Sequence, residues 1–121
     1  MDLQRGFVLG TWVVRPLENR LVGNEAEERL EPKAMDVLVR LAEAAPNPVT
    51  RDDLITAVWG ERYVSDEVLT HAIKELRHAL GDSPTEPQYI QTIPKRGYRL
   101  KQAVKPAPPA PSSRRVIQAG Q

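Results

Sequence analysis

Apolar residues recur at helical spacing in three parts of the chain, which predicts three helices. The first helix is expected to begin at Pro32, because proline fits the first helical position without losing a hydrogen bond. It should end at about Ala45, since Pro46 and Pro48 follow and prevent its continuation. Its predicted buried face consists of Met35, Leu38, Leu41, Ala42 and Ala45.

Two further patterns predict the second and third helices. The second starts at Thr50, which resembles the first residue of a capping box with Asp53 in the fourth position, and closes at Gly60. The third is expected to be capped by Ser65 and to end at Gly81, a residue type that readily adopts the left-handed conformation after a helix. Its apolar stripe is Leu69, Ala72, Ile73, Leu76 and Leu80.

Runs of β-branched and aromatic residues predict an N-terminal antiparallel sheet of short strands. Residues 6–16 form one or two of these strands, residues 19–22 a third and residues 28–30 a fourth. The chain therefore begins with strands and continues with helices, which is the order expected of an α+β domain.

A hairpin is predicted after the third helix. Its strands are residues 89–93 and 98–101, and residues 94–97 form the turn between them. From residue 104 onwards prolines and alanines dominate, which is typical of an extended linker or tail. The predicted organisation is one domain over residues 1–103 and a disordered tail over residues 104–121.

Composition excludes several classes of function. The chain has no cysteine, so disulfides and thiolate metal sites are absent, and no run approaches the roughly 18 apolar residues of a membrane span. His71 and His78 are seven residues apart without a third histidine, so no metal site is expected. No nucleophile motif, Gly-rich phosphate loop or catalytic carboxylate pair is present, and the sequence predicts neither an enzyme nor a cofactor or small-molecule substrate.

The charge distribution is uneven, although the net charge is only +1. Residues 1–67 carry 8 basic and 13 acidic side chains, whereas residues 68–101 carry 6 basic and 3 acidic ones. Residues 102–121 carry 3 basic and no acidic side chains. An acidic first half followed by a basic second half indicates an anionic partner for the second half.

The third helix carries the first candidate site, on the side away from its apolar stripe. Because a helix fits the major groove of DNA, this polar side is interpreted as a base-reading surface. Lys74 and His71 are expected at base edges, and Arg77 and His78 at phosphates. The alternative is an ordinary solvated face. Such a face usually mixes acidic and basic residues, whereas Glu75 is the single acidic residue between residues 70 and 78, which disfavours this alternative. The candidate residues are Thr70, His71, Lys74, Arg77 and His78.

Two further candidate sites lie outside that helix. Lys95 and Arg96 project from the hairpin turn, where an arginine can enter a narrow minor groove, and Gly97 is expected to supply an unusual backbone conformation. Thr50 and Arg51 lie where a helix N-terminus can hold a phosphate. A plain polar turn and a plain helix cap are the respective alternatives.

These elements together resemble the OmpR/PhoB-type winged-helix DNA-binding domain over about residues 6–101. The wing sequence is similar to that of the membrane-tethered, CadC/ToxR-like branch, as is a sheet that begins at the first methionine. The matching segments are Leu30-Glu31-Pro32-Lys33, Val49 to Leu54, Ala57 to Gly60, Leu76 to Asp82, and Tyr89 to Ile93 continuing to Arg96-Gly97-Tyr98-Arg99.

The resemblance implies a winged helix-turn-helix with a four-stranded N-terminal sheet, three helices and a C-terminal β-hairpin wing. It implies a recognition helix over residues 66–80 in the major groove and a wing tip over residues 94–97 in the minor groove. The partner would be double-stranded promoter DNA, with Thr50, Arg51 and Arg99 contacting phosphates. The rival interpretation is a winged-helix protein-interaction module or a non-specific DNA binder.

The family also implies partners and a location. Residues 61–64 can face RNA polymerase, and family members bind tandem sites as head-to-tail pairs. A bacterial one-component regulator in the cytoplasm is expected, on the inner membrane if a transmembrane segment follows residue 121. Three residues depart from the family pattern: Glu31 replaces the usual Ser or Thr before the helix-opening proline, and Glu67 and Glu75 stand where some relatives have arginine.

Overall fold

The fold combines two antiparallel sheets with three helices in the computed structural model, which describes residues 3–60 and 64–106. The helices are α1 (Pro32–Ala44), α2 (Arg51–Trp59) and α3 (Glu67–Leu80). The strands are β1 (Phe7–Leu9), β2 (Trp12–Arg15), β3 (Arg20–Val22), β4 (Glu27–Arg29), β5 (Val49–Thr50), β6 (Ile90–Ile93), β7 (Gly97–Leu100) and β8 (Val104–Pro106). The predicted α+β winged-helix fold is confirmed.

The hydrophobic core forms around α1, which packs against α2, α3 and β7. The entire predicted apolar stripe of α3 is buried, because residues three and four apart share one helix face. From the two sheets, Phe7, Leu21 and Leu100 reach the same core with no exposed surface. Both sheets are therefore held to a single three-helix centre.

The N-terminal sheet has one strand more than the sequence predicts. Its order is β4-β3-β2-β1-β8, because β8 pairs antiparallel with β1. The predicted tail was expected to begin at residue 104, but Val104 lies opposite Leu9 and Pro106 opposite Phe7. A proline is tolerated there because β8 is an edge strand, which needs no donor on its outer side. The remainder of the predicted tail, residues 107–121, lies outside the described residues.

The start of α3 differs from the sequence prediction. Asp66, not Ser65, occupies the N-cap position, and its side chain makes no capping hydrogen bond. The carbonyl groups of Ser65 and Asp66 instead accept from the amides of Val68 and Leu69, so a tight turn leads into the helix. Glu67 is therefore the first residue of the predicted recognition helix.

The N-terminus of α1 is capped by a residue from another helix. Glu31 is its N-cap and makes no capping bond with its own side chain. Its amide donates instead to Oε2 of Glu75 on α3, at 2.6 Å. In a capping box the third helical residue would accept this bond, but that position is Ala34, which has no acceptor. Glu75, which is half-buried, thus supplies the acceptor that Ala34 lacks.

The C-terminal sheet, of order β5-β7-β6, brings the hairpin against the start of α2. Gly97 lies opposite Thr50 in the pairing of β7 with β5. A Cβ atom at Gly97 would lie 1.9 Å from the carbonyl oxygen of Val49 and 2.8 Å from Cα of Thr50. The expectation that Gly97 supplies an unusual backbone conformation is wrong, since Lys95 has the positive φ in this turn, at 64°. Glycine is needed here because of close backbone approach.

The substitution Gly97→Ala should therefore lower the free energy of unfolding by about 1–3 kcal/mol, because β5 and β7 must separate to admit the methyl group. Chemical denaturation followed by circular dichroism measures this loss. Gly81→Asn is a suitable control, since Gly81 is left-handed at φ 72° with open space around it and asparagine tolerates that conformation. Equal stability of Gly97→Ala and the wild type would contradict the steric argument.

Candidate nucleic-acid interface

The polar side of α3 is open to solvent. Thr70, His71, Lys74 and His78 are exposed, whereas Arg77 is half-buried. The last turn ends in a Schellman arrangement, in which the left-handed Gly81 is followed by an amide of Asp82 that donates to the carbonyl of Arg77 at 2.8 Å. The helix therefore presents a continuous polar surface up to a defined end.

Arg77 is turned away from this surface towards the hairpin. Its Nη2 donates to the carbonyl of Ile90 at 3.0 Å and to Oγ1 of Thr92 at 2.9 Å. Both acceptors belong to β6. The residue expected at a phosphate thus joins the last turn of α3 to the first strand of the hairpin.

Asp82 makes a second connection between α3 and β6. Its Oδ1 accepts from the amide of Gln88 at 2.6 Å, and its Oδ2 from the amide of Ile90 at 2.9 Å. Because a carboxylate bonded to backbone amides makes strong, directional contacts, Asp82 fixes the entry of the chain into the hairpin.

Arg51 lies at the first position of α2, between the start of α3 and the hairpin. Its Nη1 donates to the hydroxyl of Tyr98 at 2.7 Å, and its Nη2 donates to both the carbonyl of Asp66 and Oγ1 of Thr70 at 3.2 Å. The guanidinium carbon lies 5.8 Å from the centre of the Tyr98 ring. A residue expected at a phosphate is thus engaged with two other elements of the fold.

The hairpin turn contains three residues, Pro94, Lys95 and Arg96, because Gly97 already pairs with Ile93. The side chains of Lys95 and Arg96 are exposed, as predicted. The amide of Arg96 donates to the carbonyl of Ile93 at 3.0 Å, and its own carbonyl accepts from the amide of Arg51 at 3.1 Å. The turn is therefore attached to the first residue of α2.

The remaining predicted residues lie beside these elements. Thr50 caps α2 through its Oγ1, which accepts from the amide of Asp53 at 3.0 Å. Arg99, on β7, is half-buried and donates from Nε to Oε1 of Gln91 at 2.6 Å. A shallow cleft runs from Thr50 past Arg51 to the exposed turn.

Nine of the ten predicted residues thus lie in two neighbouring groups, one on α3 and one formed by the start of α2 and the hairpin turn. The tenth, Arg99, lies on β7. Sequence reasoning missed Tyr98, Asp82 and Thr92, which hold the cationic side chains or the hairpin in place. No local signal in the sequence marked Tyr98, because its burial to 6% exposure and its hydrogen bond to Arg51, 47 positions away, arise only in the folded chain.

Neither a cluster of metal ligands nor a membrane-spanning helix is found among the described residues. Residues 3–60 and 64–106 contain no group of three or more potential metal ligands. No helix in the same part of the chain is long and apolar enough to cross a bilayer. Residues 61–63 of the predicted polymerase-facing loop lie outside the described residues, and Val64 is half-buried.

Comparisons with known proteins agree with this geometry. Residues 25–100 match the family described as "Transcriptional regulatory protein, C terminal". The chain is 41% identical to the transcriptional activator CadC of Escherichia coli over 93 residues, which cover 76% of this chain and 18% of that protein. It is 42% identical over 90 residues to the cholera toxin transcriptional activator of Vibrio cholerae, covering 70% of this chain and 31% of that protein. The chain thus spans less than a third of the length of these relatives.

Solved structures show the same fold. The DNA-binding domain of Escherichia coli CadC superposes with a TM-score of 0.75 at 37% identity, covering 84% of this chain and 96% of that domain. The DNA-binding domain of Klebsiella pneumoniae RstA, solved in complex with the RstA box, has a TM-score of 0.70 at 28% identity and covers 79% and 96%. The chain therefore belongs to the family of transcriptional regulatory protein C-terminal domains, the winged-helix DNA-binding domains of the OmpR/PhoB type.

Proposed function

We propose that this domain binds double-stranded promoter DNA through two prongs, with α3 in the major groove and the wing tip at residues 94–97 in the adjacent minor groove. The observation that carries the proposal is the pairing of two exposed cationic surfaces, Lys74 on α3 and Lys95 with Arg96 on the turn, within one rigidly hydrogen-bonded unit. The RstA DNA-binding domain, which has the same fold, is solved in complex with the RstA box, and this supports DNA as the partner.

The exposed residues of α3 are the proposed base readers. Lys74 and His71 lie at the middle of the helix, where side chains reach base edges, and Lys can donate to N7 and O6 of guanine. Thr70 and His78 flank them on the same exposed side. The carboxylate of Glu75, one turn after His71, accepts from the amide of Glu31.

Phosphate contacts are proposed for the residues around the helix start and the hairpin. Thr50 lies at the exposed N-terminus of α2, where amide groups and the helix dipole favour an anion. Arg77 and Arg99 are half-buried and already donate within the hairpin, so we assign them a contribution of charge near the backbone rather than a free guanidinium fork.

Two further partners belong to the proposal, RNA polymerase at residues 61–64 and a second copy in head-to-tail order on tandem sites. A concave, mainly apolar groove at the end of α2 and the start of α3, lined by Pro32, Trp59 and Val68, offers a surface for a protein contact. The proposed role is regulation without catalysis, in the cytoplasm where bacterial DNA resides. CadC and the cholera toxin activator, named as activators, favour a role in transcription rather than DNA packaging.

Selection of binding sites from a random pool of DNA duplexes tests the function as a whole. The wild-type chain should enrich a defined sequence and bind it more tightly than a shuffled duplex at physiological salt, by at least roughly a thousandfold. Equal affinity for both duplexes would reject sequence-specific binding and favour a protein-interaction module or a non-specific binder.

The substitutions Lys95→Ala and Arg96→Ala should each reduce the slope of log affinity against log salt by about one unit, because each removes one counterion-releasing contact. Fluorescence anisotropy with the selected duplex at several salt concentrations measures the slope. Lys105→Ala is the charge-matched control, since Lys105 is exposed on β8 of the other sheet. Slopes that stay at the wild-type value in both turn variants would remove the turn from the interface.

The substitution Lys74→Ala should relax the preference for one base pair by roughly 1–3 kcal/mol, because it removes a contact to a base edge. Affinities for the selected duplex and its single-base variants reveal the affected position. The same Lys105→Ala control should keep every preference. A uniform loss on all duplexes would make Lys74 a phosphate contact instead.

A further inference from the structure

Arg51 is the side chain that joins the three parts of the proposed interface. It belongs to α2, its guanidinium donates to the first turn of α3 at Asp66 and Thr70, and it donates to Tyr98 on the hairpin strand β7. Its backbone amide also donates to the carbonyl of Arg96 in the turn. One residue therefore contacts both prongs and the helix between them.

The surroundings of the Arg51 guanidinium favour a role within the fold rather than at the DNA. The Arg51 side chain is 32% exposed and lies against the ring of Tyr98. The shortest hydrogen bond of the Arg51 guanidinium is the one to the Tyr98 hydroxyl. The carboxylate of Asp66 lies 3.9 Å from Nε and offsets part of its charge. A planar fork with several fixed donors sets the orientation of its partners, which a lysine ammonium cannot reproduce.

The opposite end of α3 is held separately. Arg77 and Asp82 connect its last turn to β6, so the far end of the helix stays attached to the hairpin without Arg51. Arg51 accordingly controls the near end, where α3 begins and where Thr70 and His71 lie. The two ends of α3 are thus attached to the hairpin by different side chains.

We propose that Arg51 is a positioning residue, which sets the spacing between the start of α3 and the hairpin turn, and that it is not a phosphate ligand. This inference rests on the proposed two-pronged binding of DNA. Binding is strongest when both prongs are held in the orientation that the duplex requires, since no ordering cost then remains. The loss of Arg51 should therefore reduce affinity through geometry even when its positive charge is kept.

Binding measurements with charge-preserving variants test the role in recognition. Arg51→Lys and Tyr98→Phe should each weaken binding to the selected duplex by roughly tenfold, with the salt slope of Arg51→Lys kept. The double variant should bind no more weakly than Arg51→Lys, because both changes remove the same connection. Arg40→Lys, on the exposed side of α1, is the matched control. Wild-type affinity of Arg51→Lys, or losses that multiply in the double variant, would overturn the proposal.

A distance measurement judges the same proposal without DNA. Because the chain has no cysteine, the substitutions His71→Cys on α3 and Arg96→Cys in the turn introduce the only two cysteines for spin labelling. Both positions are exposed. The distribution of label distances should be narrow in the otherwise wild-type chain and broader with Arg51→Lys or Tyr98→Phe, at unchanged helix content by circular dichroism. Unchanged widths in both variants would overturn the role of Arg51. If the wild-type chain binds all duplexes equally, the proposed function is rejected. The distance distributions still test the positioning role of Arg51 in that case.

Discussion

The arrangement of this domain depends on the close contact between β7 and β5, a strand of only two residues. Gly97 allows the backbones to meet, and the next residue after β5 begins α2. The hairpin is thereby attached to the N-terminus of a helix instead of extending freely into solvent. From this contact follow the link from Arg51 to the turn, the cleft beside Thr50 and the direction in which Lys95 and Arg96 project.

Local patterns predicted the elements that carry their own periodicity. The bounds of α1, α3, β3 and β4 were predicted within one or two residues, because the burial of one face leaves a pattern in neighbouring positions. Residues 6–16 were predicted as one or two strands, and the structure forms two, β1 and β2. β5 and β8 were missed because each becomes a strand only by pairing with residues more than forty positions away. Ser65 was predicted as the N-cap because serine is common at that position, but the turn before α3 places Asp66 there.

The candidate site was predicted in residue type and general position, but not in which cations remain available. A charge count treats all cations alike, whereas the structure separates those that donate within the protein from those that form no such bond with the described residues. Arg51, Arg77 and Arg99 donate within the protein, and Lys74, Lys95 and Arg96 are exposed. Arginine suits the internal role because its several donors can satisfy two acceptors at once. The acidic Glu75 shows the converse, since a residue that seemed to oppose DNA binding supports the N-terminus of α1.

This division of labour explains why a domain with a net charge of only +1 can serve as a DNA-binding unit. Electrostatic attraction to DNA depends on the charges that face it, and screening limits the influence of charges farther than about 8–10 Å away. Asp52 and Asp66 line the cleft beside the turn, so they oppose the cations there, whereas acidic groups on distant faces count for little. Cations that form hydrogen bonds within the protein leave fewer cations to face the duplex. They also restrict the motion of the elements that carry the exposed cations. A small number of well-placed contacts then favours discrimination between sequences, because non-specific attraction grows with the number of phosphates neutralised whereas base recognition depends on orientation. In the proposed mode of binding, the polar connections at both ends of α3 therefore contribute to recognition as much as the side chains assigned to the bases.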